Sequence, residues 1–223
     1  ELTTELRKIT VPAKTTALQT ELNKSSPDWD AVLMLINEGA DVNAKSTIGS
    51  TALILASTLD RTAVVEALLA VSGINVNIKG GNDDNTALIV AALSGYTSIV
   101  NALLEVDGIQ VNIQNNRGDT ALIWAASRGH TAIVEALLAV SGINVNIKGT
   151  SNYTALIFAA SRGHTAIVEA LLEVDGIQVN IINNSNQTAL DFANGLSASA
   201  AKTAIIEALR AKRAKTKAEL DSE

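Results

Sequence analysis

The stretch ASRGHTAIVEALL stands at residues 126–138 and again, unchanged, at 160–172, which places the copies 34 residues apart. The tripeptide Thr-Ala-Leu keeps the same rhythm. It begins at Thr51, Thr86, Thr120, Thr154 and Thr188, at intervals of 35, 34, 34 and 34 residues. The step Val-Asn recurs in phase, at Val42-Asn43, Val76-Asn77, Val111-Asn112, Val145-Asn146 and Val179-Asn180. A fixed period of this length is the signature of a repeat architecture. A longer rhythm lies over it: AVSGINVNIK fills 70–79 and 139–148, and EVDGIQVNI fills 105–113 and 173–181. The units therefore alternate between two flavours. Duplication of a two-repeat block leaves this pattern, and so does deliberate assembly from modules.

Each unit reads as helix, turn, helix and extended loop. In the unit starting at Thr120, the threonine can cap a short first helix whose Leu122, Ala125 and Ala126 share one face. Gly129 ends that helix, because a residue without Cβ takes the left-handed cap easily. Ile133, Val134, Leu137 and Leu138 give the second helix a wider apolar stripe, and Gly142 closes it before Val145-Asn146. Neither helix is long enough to be stable alone, so each unit must bury its face against the next. Identical mating surfaces explain the copying. Two positions before each Thr-Ala-Leu stand Gly49, Asp84, Gly118, Asn152 and Asn186, all types that tolerate a left-handed backbone, as a tight hairpin tip requires.

The pattern Thr-Ala-Leu, small residues, Gly-His, Ile-Val, Leu-Leu, Gly and Val-Asn resembles the ankyrin repeat. It is seen whole in RGDTALIWAASRGHTAIVEALLAVSGINVNIKGT. The family has Thr-Pro-Leu-His where this chain has Thr-Ala-Leu-Ile, and one extra residue in LLAVSG lengthens the customary unit. The resemblance runs from about residue 13 to about residue 211 and implies an all-α, ankyrin-repeat solenoid of stacked helix-turn-helix units with hairpin loops. Read this way, 1–223 is one domain of about six repeats. A capping repeat spans about 13–47, internal repeats span about 48–82, 83–116, 117–150 and 151–184, and a capping repeat with a helical tail spans about 185–223. The last unit carries a longer connection, NGLSASAAK, between its helices.

Composition narrows the function. The chain is 47% hydrophobic and 18% charged, which excludes a disordered tail. Its apolar runs fall far short of the roughly 20 residues of a membrane span, so no membrane partner is expected. A net charge of -6 argues against nucleic acid, which rewards a basic face. Without cysteine there are no disulfides or thiolate metal sites. That absence suits any compartment, cytoplasmic or exported. The chain begins at Glu1 rather than Met, which points to a processed precursor or a trimmed chain.

No catalytic constellation stands out, and no cofactor or metal is expected. His130 and His164 occupy the same Arg-Gly-His element of neighbouring units, where a local hydrogen bond at a helix start is their expected role. As a zinc pair they would have to converge at about 2.0–2.1 Å from one ion, whereas stacked helices lie roughly 8–10 Å apart. There is no phosphate loop, zincin motif, nucleophile elbow or acidic calcium loop. Asp83-Asp84 reads as a solvated tip. Asn112 and Asn146 can be hydroxylation substrates in the family, but a backbone-fixing hydrogen bond is their expected role. The basic run Arg210, Lys212, Arg213, Lys215 and Lys217 reads as a solvated helix end favoured by the dipole.

If the scaffold is copied, positions that differ between copies are candidates for a function. The hairpin tips differ: KGGNDDN, QNNRGD, KGTSNY and INNSNQ. So does the second residue after the Leu of Thr-Ala-Leu: Leu55, Val90, Trp124, Phe158 and Phe192. On a helical wheel that position lies about 200° from the core leucine, close to opposite the buried face. Trp124 with Arg128, and Phe158 with Arg162, are i, i+4 neighbours. Tyr153 stands at one tip, and Arg117 and Asp119 at another. Trp, Tyr and Arg are the types enriched where interfaces concentrate their binding energy. The resemblance implies a non-enzymatic module that binds a protein or peptide partner through a concave face of tips and first helices. The alternatives are a structural spacer or scaffold without a dedicated ligand, and an engineered repeat binder. Asp191, which replaces the isoleucine of other units, and the N-terminal ELTTELRK read as polar caps of a soluble monomer.

Overall fold

The structure is a computed structural model and describes residues 10–222. Among the described residues it is all-helical, with one isolated bridge, Gly80 to Asn85, in place of any strand. The chain forms two compact units, the first ending at Gln110 and the second beginning at Val111. In the first lie α1 (Val11–Leu22), α2 (Trp29–Asn37), α3 (Ala52–Thr58), α4 (Thr62–Leu69), α5 (Ala87–Ser94) and α6 (Thr97–Leu104). In the second lie α7 (Ala121–Arg128), α8 (Thr131–Leu138), a 3-10 turn (Thr150–Asn152), α9 (Ala155–Arg162), α10 (Thr165–Leu172), α11 (Ala189–Gly195), α12 (Ala200–Ala211) and α13 (Lys217–Leu220). First helices pack on first helices, α3 on α5 and α7 on α9 on α11. Second helices do the same, α2 on α4 on α6 and α8 on α10 on α12.

Local chemistry sets these boundaries. Each repeating threonine caps its first helix, its hydroxyl accepting the N–H of Ile54, Ile89, Ile123, Ile157 or Asp191. Gly129 ends α7 at φ 80°. At the helix starts neither His130 nor His164 makes a side-chain cap. Instead the His164 ring covers Gly129 of the preceding repeat, so closely that a Cβ there would lie 2.8 Å from Cε1. The buried faces are as the spacing implies, with Ala125, Ala126, Ile133, Val134 and Leu137 all at 0% exposure.

Ser57 breaks the pattern. It is fully buried in α3 where the next repeats have Ala92, Ala126 and Ala160, and its hydroxyl has no hydrogen-bond partner. A buried polar atom left unpaired costs about 1–3 kcal/mol. Ser57→Ala should therefore raise stability by about 1 kcal/mol, read as a higher melting temperature in circular dichroism; an unchanged or lower one would show that the hydroxyl is satisfied.

The hairpin tips confirm the left-handed reading at every position. Gly49, Asp84, Gly118, Asn152 and Asn186 have φ of 79°, 54°, 83°, 60° and 57°. Four tips close by an N–H···O=C bond between residues four apart, such as Asn115 to Asp119 and Gly149 to Tyr153. In the remaining tip the bond runs from Gly80 to Asn85, five apart. The extra residue of the 35-residue interval is housed there.

Below the tips, the Val-Asn asparagines bind the loop of the following repeat in both directions. In the second unit, Asn112 Nδ2 donates to Gly142 O at 2.8 Å, and its Oδ1 accepts Asn144 N–H at 2.9 Å. Asn146 treats Gly176 and Gln178 alike. In the first unit Asn43 and Asn77 do the same with Gly73 and Asn75, and with Gly108 and Gln110. The expected backbone-fixing role is thus seen, and it reaches across repeats.

The basic C-terminal stretch corrects the sequence reading. It is not one solvated helix end: α12 stops at Ala211, and Arg213 takes a left-handed turn at φ 62°. The tail then folds back. Lys215 N–H donates to Asn180 Oδ1 at 2.7 Å, and Lys217 N–H to Asp191 Oδ2 at 2.9 Å. The same Asp191 oxygen accepts the Thr188 N–H and hydroxyl. Asp191 is therefore an internal anchor for the tail rather than only a polar cap, and ELTTELRK lies outside the described residues.

At the other end, Glu21 is buried and accepts bonds from Lys24 Nζ and Asp28 N–H. The Lys24 bond, which outweighs the opposing effect of burial, holds its carboxyl below the ordinary carboxylate range. A carboxylate depressed in the folded chain stabilises it above the unfolded pKa, and that stability is lost as pH falls through the folded value. Glu21→Gln should therefore flatten the loss of thermal stability below about pH 4, measured as melting temperature against pH; parallel curves for the two proteins would rule Glu21 out as a source of acid sensitivity.

Candidate partner-binding face

Hairpins and first helices position every residue expected at a contact surface, and the structure sorts them. Leu55, Trp124, Phe158 and Phe192 are half-buried at equivalent places on α3, α7, α9 and α11. Val90, at the same place on α5, is buried and offers no open surface. A helical wheel describes an isolated helix. In a stack each first helix has neighbours at its sides, so a position opposite the core leucine is still partly covered.

In the second unit the aromatics meet. Tyr153, at the foot of its hairpin, has its ring centroid 4.6 Å from Phe158 and 5.4 Å from Phe192, in tilted arrangements. Such pairs add about 0.5–1.5 kcal/mol beyond burial. One repeat earlier, the Arg128 guanidinium carbon stands 5.9 Å from the centre of the Trp124 ring, at the outer reach of a cation–π contact. The Trp124 indole N–H is buried without a hydrogen-bond partner, so the exposed part of the ring is carbon. Arg162, the corresponding neighbour of Phe158, is exposed.

Asp119 is not a surface contact. It is 2% exposed and accepts the Thr150 N–H and hydroxyl, each at 2.8 Å, which ties its repeat to the next. Arg117, two residues earlier, is exposed at the tip, where Asn115 Oδ1 accepts its backbone N–H.

Charge is sorted by side across these repeats. Arg117, Arg128, Lys148 and Arg162 are exposed on hairpins and first helices. Glu135, Glu169, Glu173 and Glu207 are exposed on or at the ends of second helices. The two acids on the hairpin side, Asp119 and Asp191, are engaged internally.

Two residues escaped the sequence reading. Ile48 and Leu59 of the first unit are 56% and 43% exposed. They hold the places that Arg117 and Arg128 hold two repeats later, three before and eight after the repeating threonine. Comparing those two columns between copies, alongside that of Leu55 and its equivalents, is the signal that finds them.

Paired antiparallel helices with left-handed hairpin tips, stacked first on first and second on second, define a helical repeat protein. The family model described as "Ankyrin repeats (3 copies)" matches residues 23–115, 78–149, 106–183 and 140–216. The chain belongs to the ankyrin repeat family. It is similar to the crystal structure of EF0377, an ankyrin repeat protein, at 27% identity and a TM-score of 0.74, over 91% of this chain and 98% of that one. An ankyrin repeat domain from Acinetobacter baumannii AYE gives the same values of 27%, 0.74, 91% and 98%. Among curated proteins none matches it in sequence. Ankyrin repeats are in general protein–protein interaction modules and are typically non-enzymatic. Among the described residues no helix is long and apolar enough to cross a membrane.

Proposed function

We propose that the chain is a non-enzymatic, monomeric binding module, with the repeats bounded as the sequence divides them, that grips a protein partner on a concave face of hairpin tips and first helices. The working part of that face is in the second unit: Trp124, Arg128, Tyr153, Phe158, Arg162 and Phe192, with Arg117 at its edge. One observation carries the reading. Four of the chain's six Trp, Tyr and Phe residues gather on this one side, half-buried rather than sealed. A partner that covers the remaining area of such rings gains the desolvation typical of interface hot spots. The fixed asparagine bonds and close helix stacking support a face already in shape before binding, which lowers the entropic cost of association.

The test is affinity capture from cells of the source organism with the wild type beside a Trp124→Ala/Phe158→Ala double variant, both checked by circular dichroism. A retained protein that the folded double variant loses supports the reading. Identical captures would assign the aromatics to packing alone and favour the spacer.

A further inference from the structure

We infer that the partner segment seated on the second unit is acidic and extended, with carboxylates spaced about three residues apart. This deepens the proposed function and rests on its binding face. Charge complementarity points to such a ligand. Arg128 and Arg162 are exposed, occupy equivalent places on successive first helices, and make no ion pair among the described residues. Lys148 and Arg117 extend the positive side, while the exposed glutamates lie on the second helices. In a chain of net charge -6, this side is basic against the trend. Arg128 and Arg162, like charges set side by side without internal acids to pair them, suit an anionic ligand.

Arginine adds a geometric preference. Its planar fork meets a carboxylate with two parallel bonds, and stacking on an aromatic ring orients the fork without neutralising it. Trp124 stands at the outer reach of such a contact with Arg128. Stacked helices lie roughly 8–10 Å apart, and a polyproline-like segment rises about 3.1 Å per residue with three residues per turn. Carboxylates three residues apart therefore fall on one side at a spacing of about 9 Å, which matches the arginines of adjacent repeats. Between them, an apolar side chain can lie against Phe158 and Tyr153.

The probe is a random peptide library displayed on phage and selected on the full chain. Selected peptides are then synthesised and measured by fluorescence anisotropy against the wild type, Trp124→Ala, and Arg128→Gln/Arg162→Gln. The expected result is enrichment in Asp and Glu at three-residue spacing. Affinity should fall about a hundredfold in the double arginine variant, which is tenfold for each charge-assisted contact, and should weaken as salt rises. Peptides without acidic enrichment that need Trp124 but neither arginine would overturn the acidic segment and leave the aromatic face as the binding surface. Peptides that need neither would overturn both readings, and no selected peptide at all would overturn the extended segment. Both arginines are exposed, so the variant should fold, and circular dichroism verifies that it does.

Discussion

Replacing Gly149 by alanine should lower the stability of the second unit by about 3 kcal/mol. Its φ of -94° lies outside the left-handed region that favours glycine. The obstacle is Asp119: an added Cβ would lie 2.2 Å from its Oδ1. That carboxylate is buried and holds the Thr150 N–H and hydroxyl, so it cannot step aside without breaking both bonds. Hydrogen bonds to a charged group contribute about 1.5–3 kcal/mol each. Asp119→Ser, which copies Ser50 from the same place in an earlier repeat, removes the obstacle but loses those bonds. The two substitutions together should therefore cost clearly less than the sum of the two alone. Urea melts of the four proteins give the cycle. Additive losses, or a Gly149→Ala protein within about 0.5 kcal/mol of the wild type, would show that the contact relaxes freely. The residue that begins each tip also follows the repeat flavour. Gly80 begins the tip of the earlier repeat of Gly149's flavour, and a Cβ there would lie 2.2 Å from Gly49 O. Asn115 and Asn183, which begin the tips of the other flavour, instead use their side chains to accept two backbone N–H groups each.

Most of the fold was legible because ankyrin repeats write it locally. A threonine cap, a left-handed residue at each tip and an aliphatic stripe act within one repeat, and each recurs often enough to be checked. Contacts that cross from one repeat to the next were less legible. Nothing in QNNRGD marks Asp119 as buried; that follows from the position of Thr150, 31 residues on. Nothing in AKRAKTK announces a turn at Arg213, because arginine is not a left-handed residue by preference, and the bonds that fix the tail beyond it run from Lys215 and Lys217 N–H to the distant Asn180 and Asp191. Of the candidate site, the sequence supplied the aromatic positions and the arginines but not their exposure. Val90 and Trp124 share one place in the pattern, yet valine is short enough to be enclosed while the indole is only half covered.

Leu137→Ala should destabilise the second unit by about 3 kcal/mol, within the 2–5 kcal/mol usual for such truncations, while Leu138→Ala should cost less than about 1 kcal/mol. The residues are neighbours in α8, but Leu137 is 0% exposed and Leu138 is half-exposed. Their difference reads which face of the helix is closed. A cavity at Leu137 lies between α8 and the helices packed on it, α7 and α10, and stacked repeats are held up chiefly by such nearest-neighbour contacts. Loosening α8 therefore loosens α7, which carries Trp124 and Arg128. If the binding face depends on being held in shape, Leu137→Ala should also weaken partner binding, although Leu137 is 0% exposed and so cannot touch a partner. Denaturant melts give the stability difference and anisotropy titration gives the binding difference. Equal stability losses for Leu137→Ala and Leu138→Ala would refute the assigned face. A full loss of stability with unchanged affinity would show that the site forms on the ligand rather than before it.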